Sequence, residues 1–467
     1  MMKNGTPVRL PSSCDRLKTK RRSFWQELRT ATFLGNGKRS RQLWLFLLGV
    51  SLLYGCESVT LIAGKDGDIY GIDSSVGTLF KIDPPTHQFV VLRRFSDEGF
   101  PRVLVAGTNN TYYGVTEAFT DSSEYSTLFW WKDGEYQRLR TLSSTEGASV
   151  GSLVVDASHS LLYGLTTNSN AGGGALFSCT QEGQIRVLRR FSSHTWPAVL
   201  WEGNDHNLYG LAMITVSEQI KSVLFTYQPQ TGFRLLHIFA LCNDFSYPLQ
   251  SPDGNTYFTA WGGWYRKGAL LCLTASQQIQ LLYRFKRRVE GYAPELIAYR
   301  SGHLYGIAKG GVHGKGLLFD YFKGRCRVLH AFLRESEAPA VGGMYKPRSG
   351  SPCYLFRDSL TNGVNMGQDG QLFVVSPVGI YVCTLNGQYT LQRRLPPQLS
   401  PKSADGFVSY WMGSRLYGFL SKRQSGVLGE LNTQTIVWEY TPETKELRTL
   451  AHLEVEPAGE GDKTRGG

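Results

Sequence analysis

A short phrase of an apolar residue, an aromatic residue and usually a glycine recurs eight times, and it constrains the fold more than any other feature of this chain. Its aromatic residues are Tyr70, Tyr113, Tyr163, Tyr209, Tyr257, Tyr305, Phe373 and Tyr417. Successive members are 43, 50, 46, 48, 48, 68 and 44 positions apart. Self-similarity at such a period is typical of propellers and solenoids, so the repeat predicts the architecture before any single segment does.

Each period contains four short segments with the composition of β-strands. In the third unit these segments are residues 152–155, 161–165, 175–178 and 185–191. They are rich in β-branched and aromatic residues and are bounded by Gly, Asn, Asp and Ser. After residue 58 no segment has a long apolar stripe of helical period. We therefore expect an all-β fold almost without helix.

A four-stranded sheet repeated around an axis is a β-propeller, whereas an open solenoid needs polar capping units at both ends. Here the first unit begins with an ordinary strand, 59–62, and the last ends with another, 446–450. We predict a closed ring of about eight four-stranded antiparallel blades, with seven as the alternative because the seventh unit is irregular. The predicted domains are a leader over 1–55, one propeller over 56–453 and a flexible polar tail over 454–467.

Four elements recur in the units: an Asp-Gly-x-Leu-Tyr-Gly hairpin, a Gly-x-Leu-Phe strand, a Val-Leu-x-x-Phe strand and a loop that leads to Pro. The first unit shows them at 66–71, 77–80, 91–95 and 97–101, and the sixth adds a Gly-rich loop at 310–316. This pattern resembles the Gloeo/Verruco (GloVer) tandem-repeat family of exported, anchored bacterial proteins. The resemblance implies a propeller-like fold, export and anchorage, and it implies no particular substrate.

The leader has the composition of an export signal. It combines a basic region, an apolar run from Leu43 to Tyr54 and a small-residue site, and its apolar core is too short to span a membrane. Leu53-Tyr54-Gly55-Cys56 resembles a bacterial lipobox, which predicts that Cys56 is lipid-modified and holds the protein at the cell envelope, outside the cytoplasm. The alternative is an ordinary signal peptide followed by an ordinary thiol.

The basic character of the chain belongs mainly to this leader. The full chain has a formal charge of +12, and 11 of its 50 basic residues but only two of its 38 acidic residues lie in the leader. The remaining 39 basic and 36 acidic residues leave a net charge of +3. That balance lacks the excess expected of a nucleic-acid-binding domain, so nucleic acid is not predicted as a partner.

The cysteine and histidine spacing indicates neither a metal site nor a cofactor. No Cys-x-x-Cys pair and no cysteine near a histidine at zinc spacing is present. Cys179, Cys272 and Cys383 occupy equivalent third strands, where we expect buried apolar fillers. A Cys326–Cys353 disulfide remains an open alternative.

Alternating strand direction places the loops after the second and fourth strands of every unit on one face, which we call the loop face. These loops vary most in length, and loops on a rigid scaffold carry function more often than strands do. The predicted ligand-binding residues there are Trp196, Trp261, Trp264, Tyr265, Arg288 and Tyr292. Aromatic residues beside arginine suit sugar rings or a protein hot spot, although the rings are also suited to packing between blades.

Three functions remain open from the sequence. The first is a lipid-anchored binding or scaffold propeller whose ligand is an envelope protein or a glycan. The second is an envelope glycoside hydrolase or polysaccharide lyase that uses acidic residues of the loop face, although no pair of them stands out and no catalytic residue is assigned. The third is a structural surface protein that associates with itself.

Overall fold

The computed structural model of this protein describes residues 59–454 except 96–97, 120–123, 144, 148, 157–160, 168–172, 240–243, 263–264, 340–362, 405 and 426–430. The predicted leader and tail, including Cys56, lie outside the described residues. Within them, eight antiparallel sheets follow one another along the chain, which confirms the all-β propeller and its eight blades. The ordered elements besides strands are two single 3-10 turns, Pro397–Leu399 and Pro401–Ser403.

Each of the first four blades is a contiguous stretch of chain. Blade 1 contains β1 (Val59–Ala63), β2 (Ile69–Asp73), β3 (Thr78–Asp83) and β4 (Gln88–Arg94), and blade 2 contains β5 (Phe100–Ala106), β6 (Tyr112–Phe119), β7 (Glu124–Lys132) and β8 (Glu135–Thr141). Blade 3 contains β9 (Ser149–Val155), β10 (Leu161–Thr167), β11 (Ala175–Thr180) and β12 (Ile185–Arg190), and blade 4 contains β13 (Thr195–Glu202), β14 (Leu208–Val216), β15 (Gln219–Gln228) and β16 (Gly232–Ile238).

The same arrangement continues through the second half, except that the first strand of blade 5 is split. Blade 5 contains β17 (Asp244–Phe245), β18 (Leu249–Gln250), β19 (Thr256–Gly262), β20 (Tyr265–Leu273) and β21 (Ile279–Arg284), and blade 6 contains β22 (Tyr292–Arg300), β23 (His303–Lys309), β24 (Leu317–Phe322) and β25 (Arg325–Ala331). Blade 7 contains β26 (Val364–Met366), β27 (Leu372–Val375), β28 (Gly379–Cys383) and β29 (Tyr389–Arg394), and blade 8 contains β30 (Gly406–Met412), β31 (Arg415–Ser425), β32 (Leu431–Thr441) and β33 (Glu446–Glu454).

The glycine of the repeated phrase makes room for an aromatic ring from the next strand. Gly164 on β10 pairs with Phe177 on β11, and a Cβ atom on Gly164 would overlap the Phe177 ring. The other blades that keep the glycine have the same contact: Gly71 with Phe80, Gly114 with Phe129, Gly210 with Phe225, Gly306 with Phe319 and Gly418 with Trp438. The ring therefore lies flat across the second strand in these blades.

The two blades that lack the glycine pair side chains of different size at this position. In blade 5, Phe258 takes the glycine position and the facing residue of the third strand is Leu271. In blade 7, Val374 faces Tyr381. In blade 5 the large ring has simply changed strands, so close packing at this pair is maintained by exchanging large and small partners.

The hydrophobic core lies between blades rather than within one central mass. The buried residues form eight clusters, and each cluster joins two neighbouring blades. One of them packs Val59, Leu61 and Phe80 of blade 1 against Phe419 and Val437 of blade 8. The ring is thus closed by the same kind of contact that joins every other pair of blades.

The turns opposite the loop face carry polar clamps between blades. Arg327 of blade 6 donates hydrogen bonds to the buried Asp320 carboxylate (2.9 Å) and to the Leu385 carbonyl of blade 7 (2.8 Å). Arg415 of blade 8 similarly joins the buried Glu439 (3.1 Å) to the Pro84 carbonyl of blade 1. Burial of each carboxylate is compensated by its arginine, and the arginine in turn holds the next blade.

The seam between blades 8 and 1 contains a buried carboxyl group. Asp73 is fully buried, and its Oδ1 accepts hydrogen bonds from the Ser75 amide (2.8 Å) and hydroxyl (2.5 Å). The Ser75 hydroxyl lies 3.1 Å from the Thr435 hydroxyl of blade 8. Asp73 Oδ2 has no hydrogen-bond partner among the described residues. Burial raises the pKa of Asp73, against the hydrogen bonds from Ser75 and Thr435, which lower it.

We expect Gly164→Ala to lower the free energy of unfolding by about 1–3 kcal/mol, since overpacking a core has this cost. The double variant with Phe177→Leu should recover part of the loss, because blade 5 already uses a leucine opposite a larger residue. Gly151→Ala is the matched control: its Cβ would meet only the Ala198 carbonyl oxygen, at 3.9 Å. Denaturant unfolding measures all three, and equal effects at Gly164 and Gly151 would contradict the packing argument.

Replacing Asp73 by Asn should stabilise the protein at neutral pH. Because the pKa of Asp73 is raised by folding, its favourable contribution is complete below the unfolded-state pKa of about 3.9 and is lost as the pH rises through the folded-state pKa. The stability of the variant relative to the original chain should therefore be constant below about pH 4 and increase as the pH rises above it. Unfolding free energies measured across this pH range test the sign.

Asp205→Asn is the control of opposite sign. Although burial opposes the shift, hydrogen bonds from Tyr209 (2.6 Å) and Asn207 lower the pKa of Asp205. Its contribution is present above its unfolded-state pKa of about 3.9 and is lost as the pH falls through the folded-state pKa. The Asn variant should then be the less stable protein at neutral pH. A destabilised Asp73→Asn protein at pH 7 would refute the assignment of Asp73 as a strained buried carboxyl.

Candidate functional site

The two faces of the ring differ in the length of their connections. Turns after the first and third strands have two to five residues, whereas connections on the loop face extend up to the 332–363 segment between blades 6 and 7. Part of that segment, 340–362, lies outside the described residues. Because the short turns hold the inter-blade clamps, the loop face is the candidate for binding.

Large apolar side chains are exposed on the loop face of blades 5 and 6. Val289 and Tyr292 lie in and just after the connection between these blades, with 52% and 37% of their surface exposed. Val312, in the loop after the second strand of blade 6, is 58% exposed, and Leu333, just beyond β25, is 63% exposed. We call these four residues the apolar patch. Solvation of such groups costs free energy that packing within the ring does not recover, so their exposure indicates a surface for binding.

The glycine-rich loop that carries Val312 passes close to Tyr292 and Val289. A Cβ atom on Gly310 would lie 2.8 Å from the Tyr292 ring, and one on Gly311 would lie 3.7 Å from the Val289 carbonyl oxygen. Both glycines have positive φ angles, 79° and 78°, which favour glycine. The loop can therefore pass beside Tyr292 only because position 310 has no side chain.

Positive charge borders the apolar patch. The Arg287 guanidinium lies 5.2 Å from the centre of the Tyr292 ring, within the range of a cation–π interaction. Arg287 and Arg288 are exposed, and neither forms an ion pair with another described residue. The neighbouring Glu290 is buried and accepts hydrogen bonds from the Tyr283 hydroxyl (2.7 Å) and the Lys286 amide (2.8 Å). The Glu290 carboxylate thus holds the connection in place and forms no ion pair with Arg287 or Arg288, which remain available to a ligand.

The structure separates the residues predicted from the sequence into three groups. Tyr292 and Arg288 are exposed on the loop face, as expected. Trp196 and Trp261 are half-buried, and Trp196 packs against the hydrophobic cluster between blades 4 and 5. The side chains of Trp264 and Tyr265 lie outside the described residues, so the assignment of these six residues to a ligand-binding surface remains a prediction.

Sequence reasoning overlooked the three aliphatic members of the apolar patch. Val289, Val312 and Leu333 were not among the predicted binding residues. Val289 and Val312 are each a lone aliphatic residue within a polar or glycine-rich loop, and that signal would have identified them. Leu333 directly follows Ala331 and Phe332 and has no such signal in the sequence.

Three carboxylates of the loop face are committed to neighbours. Glu117 is buried between the Ser149 hydroxyl, which donates to it, and Arg102 (3.4 Å). Glu98 accepts hydrogen bonds from Tyr136 (2.6 Å) and Arg93 (3.0 Å). Together with the contacts of Glu290, these contacts assign the three acidic residues to bracing the loops.

The cysteine residues are packing elements within the part of the chain that the structure describes. Cys179, Cys272 and Cys383 are buried free thiols on β11, β20 and β28, as predicted, and burial raises the pKa of each to about 11. A thiol with so high a pKa is a poor nucleophile at neutral pH. Cys326 is likewise free, and Cys353 lies outside the described residues.

No cluster of three or more metal-ligating side chains occurs among the described residues. In the same part of the chain there is no helix with the length and apolar character needed to cross a membrane.

No protein-family model and no curated protein sequence matches the chain. Solved propeller structures resemble it at low sequence identity. Dipeptidyl peptidase 4 from Porphyromonas gingivalis gives a TM-score of 0.50 at 9% identity, over 88% of this chain and 61% of that protein. A catalytically inactive virginiamycin B lyase from Staphylococcus aureus with quinupristin gives 0.43 at 12% identity, over 57% of this chain and 82% of the lyase.

A protein from Lactobacillus plantarum gives a TM-score of 0.42 at 11% identity, over 85% of this chain and 97% of that one. Likeness at such low identity concerns the fold alone. What the lyase and the peptidase act on therefore says nothing about this chain.

Proposed function

We propose that this protein is a binding propeller of the bacterial cell envelope, held at a membrane by a lipid on Cys56, which binds a protein partner through the loop face of blades 5 and 6. The observation that carries the proposal is the apolar patch of Val289, Tyr292, Val312 and Leu333 beside two arginines without ion pairs among the described residues. Aromatic residues and arginine dominate the binding energy of protein interfaces.

A protein ligand fits this surface better than a glycan. Sugar rings stack on flat aromatic faces, whereas three of the four members of the apolar patch are aliphatic. Aliphatic side chains around a tyrosine and an arginine correspond to the apolar centre and charged border of a protein interface. The unpaired Arg287 and Arg288 favour a partner that presents acidic groups next to an apolar segment.

The envelope address is supported by the leader and the lipobox-like Leu53-Tyr54-Gly55-Cys56, and by the resemblance of the repeat to exported bacterial proteins. Each methylene of an acyl chain buried in a membrane contributes about 0.8 kcal/mol, so two or more chains on one cysteine anchor a protein firmly. The propeller would then stand outside the cytoplasmic membrane with its loops available to neighbouring envelope proteins.

Replacing Cys56 by Ser tests the anchor. The expected result in a bacterial host is release of the protein into the soluble extracytoplasmic fraction, or accumulation of the uncleaved precursor, together with loss of acyl labelling. Cys14→Ser is the control within the leader and should leave fractionation and labelling unchanged. If the Cys56 variant stays in the membrane fraction with the mass of the original protein, the anchor is assigned wrongly.

Site-specific photocrosslinking in intact cells tests the binding face. A photoreactive residue at position 292, 312 or 333 should give one discrete protein adduct, and charge reversal at Arg287 and Arg288 should abolish it. Val90, which is 37% exposed on the outer strand of blade 1, is the control position and should give no such adduct. Truncation of Tyr292 to Ala in the purified complex should weaken binding by about 2 kcal/mol.

Three outcomes would decide against a separate protein partner. An adduct with twice the mass of the chain would show a self-associating surface protein, and a polydisperse carbohydrate adduct would show a glycan ligand. The same adduct from position 90 as from the apolar patch would show that the contact is not specific to this face.

A further inference from the structure

One pair of side chains recurs at the junctions between blades, near the outer strands. A residue near the end of the fourth strand of one blade contacts the first or second residue of the fourth strand of the next blade. The Arg93 guanidinium lies 3.6 Å from the centre of the Tyr136 ring between blades 1 and 2, and that of Arg189 lies 5.1 Å from the Phe233 ring between blades 3 and 4. Between blades 6 and 7, His330 stacks on Tyr389 at 4.0 Å.

The strand registers show that these contacts are equivalent. Arg93, Arg189 and His330 each face the residue just before the large aromatic of the third strand, and so does Arg393 in blade 7. The rings that they contact also share one register position. Each belongs to the fourth-strand residue that faces the third strand two positions after its large aromatic, and in blade 8 that residue is Leu447. At the junction of blades 7 and 8, an arginine is therefore retained and the ring that would cover it is replaced by leucine.

A cavity of about 560 Å³ lies at this junction. Its lining includes Arg393, Leu395 and Leu447, which are the counterparts of His330, Phe332 and Tyr389 at the junction of blades 6 and 7. In that neighbouring junction the three side chains are in mutual contact, with the Phe332 and Tyr389 rings 5.6 Å apart. The cavity therefore lies at the position that an aromatic ring occupies between blades 1 and 2, blades 3 and 4, and blades 6 and 7.

Arg393 has no side-chain partner of its own. Its side chain is exposed and forms no hydrogen bond, ion pair or ring contact with another described residue. The junction of blades 2 and 3 also lacks the ring, because Ile185 takes its position. There, however, the arginine has a partner: Arg140 forms an ion pair with Glu146 at 3.5 Å. In addition, Tyr440 is buried in the same cluster as Leu395, with no hydrogen-bond partner for its hydroxyl among the described residues.

We propose that the cavity between blades 7 and 8 binds a small aromatic carboxylate. The aromatic ring occupies the position that Tyr389 fills one junction earlier, between Leu395 and Leu447 and against the planar guanidinium of Arg393. The carboxylate pairs with the N–H groups at the edge of the same Arg393 guanidinium, where Gln398 and Thr449 supply further polar atoms. A cavity of this size accommodates a single-ring molecule, and arginine suits both the ring and the anion because it stacks and donates in one plane.

Binding of phenylacetate to the purified full chain, measured by calorimetry, tests this proposal. Phenylacetate should bind saturably, and cyclohexylacetate, which has the same charge without an aromatic ring, should bind about tenfold more weakly. Arg393→Gln should abolish binding, while Arg393→Lys keeps the charge but loses the stacking plane and should bind about tenfold more weakly. Absence of saturable phenylacetate binding by the unaltered chain would overturn the proposal.

Leu447→Tyr provides the sharper test, because it restores the ring that Tyr389 supplies at the previous junction. This variant should lose phenylacetate binding and at the same time unfold at a higher denaturant concentration. Ile185→Tyr, which adds a ring at the equivalent position between blades 2 and 3, is the matched control and should leave phenylacetate binding unchanged. Undiminished binding by a folded Leu447→Tyr protein, or equal loss in both variants, would show that the ligand does not occupy this cavity.

Discussion

The fold depends on the contact between a glycine of the second strand and an aromatic ring of the third. With no side chain on the glycine, the ring lies across its own sheet and presents a flat surface to the next blade. In six blades this surface is a Phe or Trp over glycine, and in blade 5 the ring comes from Phe258 instead. Because each sheet is thin at this point and apolar toward its neighbour, eight sheets can pack as wedges around one axis.

The two faces of the ring carry different kinds of polar interaction. On the face with short turns, buried carboxylates such as Asp320 and Glu439 orient arginines toward carbonyl groups of the next blade. On the loop face, Glu117 and Glu290 brace single connections, and arginines such as Arg287 and Arg288 have no acidic partner among the described residues. Stability and recognition are thus assigned to opposite ends of the strands, which lets loops vary without loosening the ring.

The architecture could be predicted from sequence because it repeats. The same phrase occurs eight times, so the sequence contains eight examples of the same local packing. A strand with an unclear sequence pattern in one unit can therefore be assigned from its counterparts in the other seven. The proposed binding surface does not repeat, so each of its residues is represented once. Tyr292 and Arg288 were identified by residue type, whereas Val312 and Leu333 were not, because exposure of an aliphatic residue depends on how its loop lies over the blade. The cavity beside Arg393 required knowledge of which side chains meet between blades, and that follows only from the register.

Every blade is a contiguous stretch of chain, and blades 8 and 1 meet through side chains without exchanging a strand. Copying or removing a whole period would leave every other sheet complete, because the strands of each sheet are consecutive in the sequence. Gene duplication can therefore lengthen such a ring one blade at a time, and a new copy is free to diverge in its loops and at its outer junction. The leucine at position 447, where blades 2, 4 and 7 have an aromatic residue, is the kind of individual change that this mode of growth permits.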